Sequence, residues 1–141
     1  MIEIIPALMP RTFEELRVET ERFIGLVETV QIDVMDGVFV GNKSWPYSEG
    51  ANIIQDLTRE GDTIPFWEDI DFEADLMIAN PEREIANWIS LGASRIIVHT
   101  ESVTDMDFII AEVRGSINGK QVDGEEERPI IFSAFWGWQR R

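Results

Sequence analysis

In Val30-Gln31-Ile32-Asp33-Val34-Met35-Asp36-Gly37, three aliphatic residues alternate with an amide, a carboxylate and a thioether. That period of two predicts a strand with Val30, Ile32 and Val34 on one face and Gln31, Asp33 and Met35 on the other. Asp36-Gly37 is a turn signal, so Asp33 falls near the carboxyl end of the strand. In sheets built from strand-helix repeats, chemistry gathers at that end. The polar face of this strand is therefore the candidate site.

Upstream, the apolar run Ile2 to Met9, broken by Pro6, suits a first strand ending at Pro10. Thr12 with Glu15 three residues on reads as a capping box, opening a helix with Phe13, Leu16, Phe23, Ile24 and Leu26 at roughly helical spacing. Strand, helix and strand make a βαβ unit with parallel strands. Downstream, Gly41 to Gly50, with Trp45 and Tyr47, reads as a long loop over the site, and Ala51 to Leu57 as a short helix broken at Gly61-Asp62.

Ile70 to Ile78 repeats the alternation, with Phe72, Ala74, Leu76 and Ile78 set against Glu73, Asp75 and Met77. Asn80-Pro81 opens a third helix carrying Ile85, Trp88, Ile89 and Leu91 inward, which Gly92 ends. Arg95 to Thr100 is a fourth strand bearing the only histidine, His99. Thr104 caps a fourth helix through Val113 with Phe108, Ile109 and Val113 inward. Residues 116–128, charged and glycine-containing, read as a mobile loop, and 129–141 as an aromatic tail or fifth strand.

Composition narrows the function. The 141 residues are 44% hydrophobic and suit a single domain. A formal charge of −15 repels phosphate backbones and anionic lipid, which argues against nucleic-acid and membrane partners. No cysteine means no disulfide, thiolate nucleophile or Cys-ligated zinc, and a cytoplasmic setting is expected.

The landmarks Ile5-Pro6-Ala7-Leu8-Met9, Gln31 through Asn42, Ala74-Asp75-Leu76-Met77-Ile78 with Asn80-Pro81-Glu82, and Gly92-Ala93-Ser94 leading to Val98-His99 together resemble the ribulose-phosphate 3-epimerase family. The resemblance covers Ile2 to about Glu101 and implies an α/β fold, a partial (β/α)8 TIM barrel of four to five strand-helix units. It implies an isomerase of pentose phosphate metabolism that interconverts D-ribulose 5-phosphate and D-xylulose 5-phosphate through an enediolate. Asp33 takes the position of the family's catalytic aspartate, which moves the C3 proton and binds a divalent metal ion such as zinc, iron or manganese. A second aspartate, late in the family's chain, serves the opposite face of the substrate, since epimerisation takes the proton from one face and returns it on the other.

The chain departs from that pattern. Gln31 and Asp75 stand where the family has histidine ligands, and Ala7 where it has a substrate-contacting serine. Asp33 and Asp75, with Gln31 as a third candidate, form the expected metal set, in which oxygen ligands favour manganese or magnesium over zinc. Ala7, Gln31, Met35, Asp75 and Met77 are the expected substrate contacts. His99 reads as a core or pocket histidine without a partner, and Trp45, Trp67 and Trp88 as packing. Without the family's later strands, the isolated chain is expected not to epimerise, and to associate as a homo-oligomer or with a second half-barrel. The competing readings are a non-catalytic half-barrel and another ribulose-phosphate-binding barrel. The Asp-x-Lys-x-x-Asp pattern of hexulose-phosphate synthase relatives is missing after Asp33.

Overall fold

The computed structural model describes residues 2–50 and 52–119. Four parallel strands, β1 (Ala7–Leu8), β2 (Thr29–Met35), β3 (Asp71–Met77) and β4 (Arg95–Val98), form one sheet in chain order. Between and after them run helices α1 (Phe13–Glu21), α2 (Ile53–Glu60), α3 (Ile85–Ser90) and α4 (Met106–Gly119). This is the α/β arrangement of a partial TIM barrel. No helix among the described residues is long and apolar enough to cross a membrane.

The alternation read in β2 and β3 sets the layers. Val30, Ile32, Val34, Phe72, Ala74, Leu76, Ile96 and Val98 are buried on one face, in a core shared with Leu16, Ile54, Ile85, Trp88, Ile109 and Val113 from the helices. The opposite face carries the polar residues.

Several elements differ from the sequence reading. β1 is two residues long rather than Ile2 to Met9. Pro6 has no N–H to give a ladder, and Ile2 and Ile4 are 91% and 72% exposed, so nothing packs them into the sheet. Only the Pro6 carbonyl extends the pairing, accepting from Gln31 N. Thr12 does cap α1, its Oγ1 accepting from Glu15 N at 3.0 Å. The Glu15 carboxylate, however, takes the N–H of Arg11. The helix stops before Phe23, Ile24 and Leu26, and Leu26 is exposed.

α2 starts two residues later than expected and runs three further, to a left-handed Gly61 (φ 77°), a backbone state that glycine reaches without steric cost. Asn80 makes no side-chain cap, and Pro81–Arg83 is a 3-10 turn ahead of the short α3. At α4, Asp105 Oδ1 accepts from Phe108 N, while Thr104 donates to Glu82 instead of capping. Phe108 is exposed, and only Ile109 and Val113 turn inward.

Glu82 is the unforeseen clamp here. Its Oε1 accepts from Thr104 N, Thr104 Oγ1 and Asp105 N, tying the turn before α3 to the start of α4. Burial raises its pKa, but those hydrogen bonds outweigh it and leave the carboxyl below its ordinary value. α4 continues through 116–119, part of the expected loop, because one interior glycine costs a helix only about 1 kcal/mol. The rest of that loop and the 129–141 tail lie outside the described residues.

The 41–50 segment is irregular, as expected. Trp45 is fully buried, its ring 5.7 Å from Phe13 and 6.0 Å edge-on from Trp88, its backbone N–H donates to Pro10 O, and the Trp45-Pro46 bond is cis.

Candidate functional site at the carboxyl end of the sheet

In-register neighbours of a parallel sheet project to the same side. The ladder pairs Ala7 with Gln31, Asp33 with Asp75, and Met35 with Met77, so every substrate contact expected from sequence lies on one face. Ala7 is exposed, and Gln31, Asp33, Met35, Asp75 and Met77 are half-buried.

At the base of this face Glu73 is 3% exposed and accepts from Arg95 Nη1 at 2.7 Å, the partner a buried carboxylate requires. One layer up, Gln31 Nε2 donates to Asp33 Oδ1 at 2.6 Å. Beside it, His99 Nε2 lies 2.7 Å from Asp75 Oδ1. Sequence reading left His99 without a partner, and the fold supplies one across 24 residues.

The loop after β2 is shaped around this layer. Asp36 Oδ1 accepts from Val38 N and Phe39 N, and Oδ2 from Ala79 N just beyond β3, which pins the loop to the neighbouring strand. Gly37 has φ 78°, and a Cβ there would fall 2.8 Å from the Lys43 side chain. Phe39 then packs on the His99 ring at 5.7 Å. Ser44 Oγ donates to Asp33 O at 2.6 Å and accepts from Met35 N at 2.9 Å, locking the backbone just after the catalytic candidate. Ser44 was invisible to sequence reading because a lone serine in a loop carries no periodic or motif signal.

Burial raises the pKa of Asp33. The Gln31 hydrogen bond opposes the rise and the Asp75 charge adds to it. The like charge of Asp75 is thus secondary to desolvation. His99 is raised by its hydrogen bond to Asp75, against the lowering effect of burial, with the charges of Asp75 and Glu101 adding.

A histidine whose folded pKa lies above its ordinary 6.5 contributes stability that is complete below 6.5 and lost as pH rises through the folded value. Asp33, raised above 3.8, acts in the same direction at lower pH. Thermal melts taken upward from pH 6 are expected to fall through the His99 window, and Asp75→Asn to flatten that fall. An unchanged slope in the variant would contradict the pairing.

Among the described residues no group of three His, Cys, Asp or Glu side chains can hold a metal ion. Asp33 Oδ1 accepts from Gln31 Nε2, and Asp75 Oδ1 meets His99 Nε2. Gln31 turns its NH2 to Asp33, because a carboxylate accepts only from a donor, and the amide is thereby committed to orienting that carboxylate.

A sequence model described as the ribulose-phosphate 3 epimerase family matches residues 3–123. A ribulose-phosphate 3-epimerase of Chlamydia pneumoniae is 33% identical over 85 residues, which are 60% of this chain and 32% of that protein. The chain thus spans about a third of the length of the curated relative it matches. Taken with the parallel strand-helix order and Asp33 at its expected strand end, the match over 3–123 shows that the chain belongs to the ribulose-phosphate 3-epimerase family.

Proposed function

We propose that this chain carries one half of a ribulose-phosphate 3-epimerase site, with D-ribulose 5-phosphate or D-xylulose 5-phosphate as ligand and Asp33 as the acid/base at C3. The observation that carries the reading is Asp33 itself, half-buried, aligned by Gln31, and made more basic by burial. A proton next to a carbonyl is weakly acidic, so a carboxylate above its ordinary pKa is better matched to removing it.

In the forward step the C3–H bond breaks and its electron pair becomes the C2–C3 double bond, the C2–O π pair moves onto O2 to give the enediolate, and the proton passes to Asp33. Return of a proton to the same face restores the starting sugar. Inversion requires a second group on the other face, which the family resemblance assigns to a later strand. Among the described residues β1 and β4 each lack a neighbour on one side. The same reading gives those edges to the strands of a second half-barrel or a second copy, in a cytoplasmic setting.

The test is a nuclear magnetic resonance titration of the full chain with D-ribulose 5-phosphate at fixed pH. Backbone amides of Gln31, Asp33, Met35, Asp75 and Met77 are expected to shift together. Shifts confined to the helices, or none at all, would contradict the reading.

A further inference from the structure

His99 follows β4 directly and is held from three separate segments. Its Nε2 bonds Asp75 on β3, its ring lies against Phe39 from the loop after β2, and its carbonyl accepts from both Ser102 N and Ser102 Oγ at 2.9 Å. The side chain is 13% exposed. Because a carboxylate only accepts, the proton in the Asp75 contact is carried by Nε2, and Asp75 fixes which way the ring is turned. Nδ1 has no hydrogen-bond partner among the described residues. A ring oriented at one nitrogen and left open at the other is an arrangement suited to a ligand.

The place is also suitable. Asp75 is the register partner of Asp33, and β4 is the next strand beyond it. Two strand spacings, roughly 10 Å, separate β2 from β4, the length scale of an extended five-carbon phosphate ester. A sugar whose C3 lies at Asp33 is long enough to reach His99.

We propose that His99 is a substrate-contacting residue of this site, with Nδ1 hydrogen-bonding an oxygen of the ketose phosphate and Asp75 as its positioning residue. The proposal builds on the ligand reading given above. In it Asp75 orients an imidazole, and Phe39 packs against the ring at a 44° tilt.

His99 is the only histidine in the chain, so its ring resonances are unambiguous. On addition of D-ribulose 5-phosphate at constant pH, the His99 Hε1 and Nδ1 signals are expected to shift along with the Asp33 amide. In Asp75→Asn the nitrogen shifts should report loss of the single Nε2–H tautomer, with the ring response to sugar phosphate reduced several-fold while the Asp33 amide still responds. His99→Gln should weaken binding about tenfold, with amide dispersion confirming its fold. A ring signal that stays still while the Asp33 and Met35 amides move overturns the contact and leaves the ligand reading standing. If no resonance moves, the ligand reading fails and the contact fails with it. An unchanged tautomer in Asp75→Asn removes Asp75 from the positioning role.

Discussion

Trp88→Ala is expected to lower the unfolding free energy by about 3–5 kcal/mol, the usual range for truncating a buried tryptophan. Trp88 is fully buried in α3, and its ring meets Trp45 edge-on at 6.0 Å with an interplanar angle of 88°. Trp45 in turn packs on Phe13 of α1 at 5.7 Å. The three rings join α1, the segment after β2 and α3 beneath the sheet, so the loss combines apolar burial with an aromatic contact of about 0.5–1.5 kcal/mol. A domain with about 5–15 kcal/mol in total would lose a large part of its stability. Trp88→Phe should cost far less, because the indole Nε1 has no hydrogen-bond partner to lose. Urea unfolding followed by circular dichroism checks both variants, and a Trp88→Ala loss below about 1 kcal/mol would mean that the aromatic cluster does not hold the layers together.

Asp33→Asn is expected to reduce exchange of the substrate C3 proton with solvent about a thousandfold, within the usual range for a general acid/base group. Asparagine keeps the size and the contact with Gln31 but cannot take or return a proton. Gln31→Ala should have a smaller effect, since Ser44 still fixes the Asp33 backbone while the carboxylate loses its 2.6 Å aligning donor. Equal losses in the two variants would mean that alignment rather than basicity limits the step.

Much of this arrangement was legible in the residues. The alternation in 30–35 and 72–78 gave two strands and their polar faces, and the matched patterns placed Asp33 beside Asp75, as the ladder has them. Periodicity reports which face a residue occupies, but not which distant side chain it meets. His99 therefore looked solitary until β3 brought Asp75 to it, and Ser44 and Glu82 were unreadable because their roles are hydrogen bonds to backbone in other elements. The loop reading of 41–50 holds for the backbone, and Trp45 packs as expected. Turn formers around an aromatic residue predict an irregular backbone and say nothing about whether its ring enters the core. The expectation of a cation at Asp33 and Asp75 followed from counting carboxylates, and periodicity could not show that one oxygen of each meets a side-chain donor.

The central claim is that Asp33 moves the C3 proton on one face of a ketose phosphate. Its most direct test is deuterium incorporation, with the full chain incubated in heavy water with D-ribulose 5-phosphate and, separately, D-xylulose 5-phosphate. The account predicts deuterium at C3 of the epimer whose proton faces Asp33, little conversion to the other epimer, and loss of the label in Asp33→Asn. Absence of label from both sugars, or the same label in Asp33→Asn as in the parent, would contradict it.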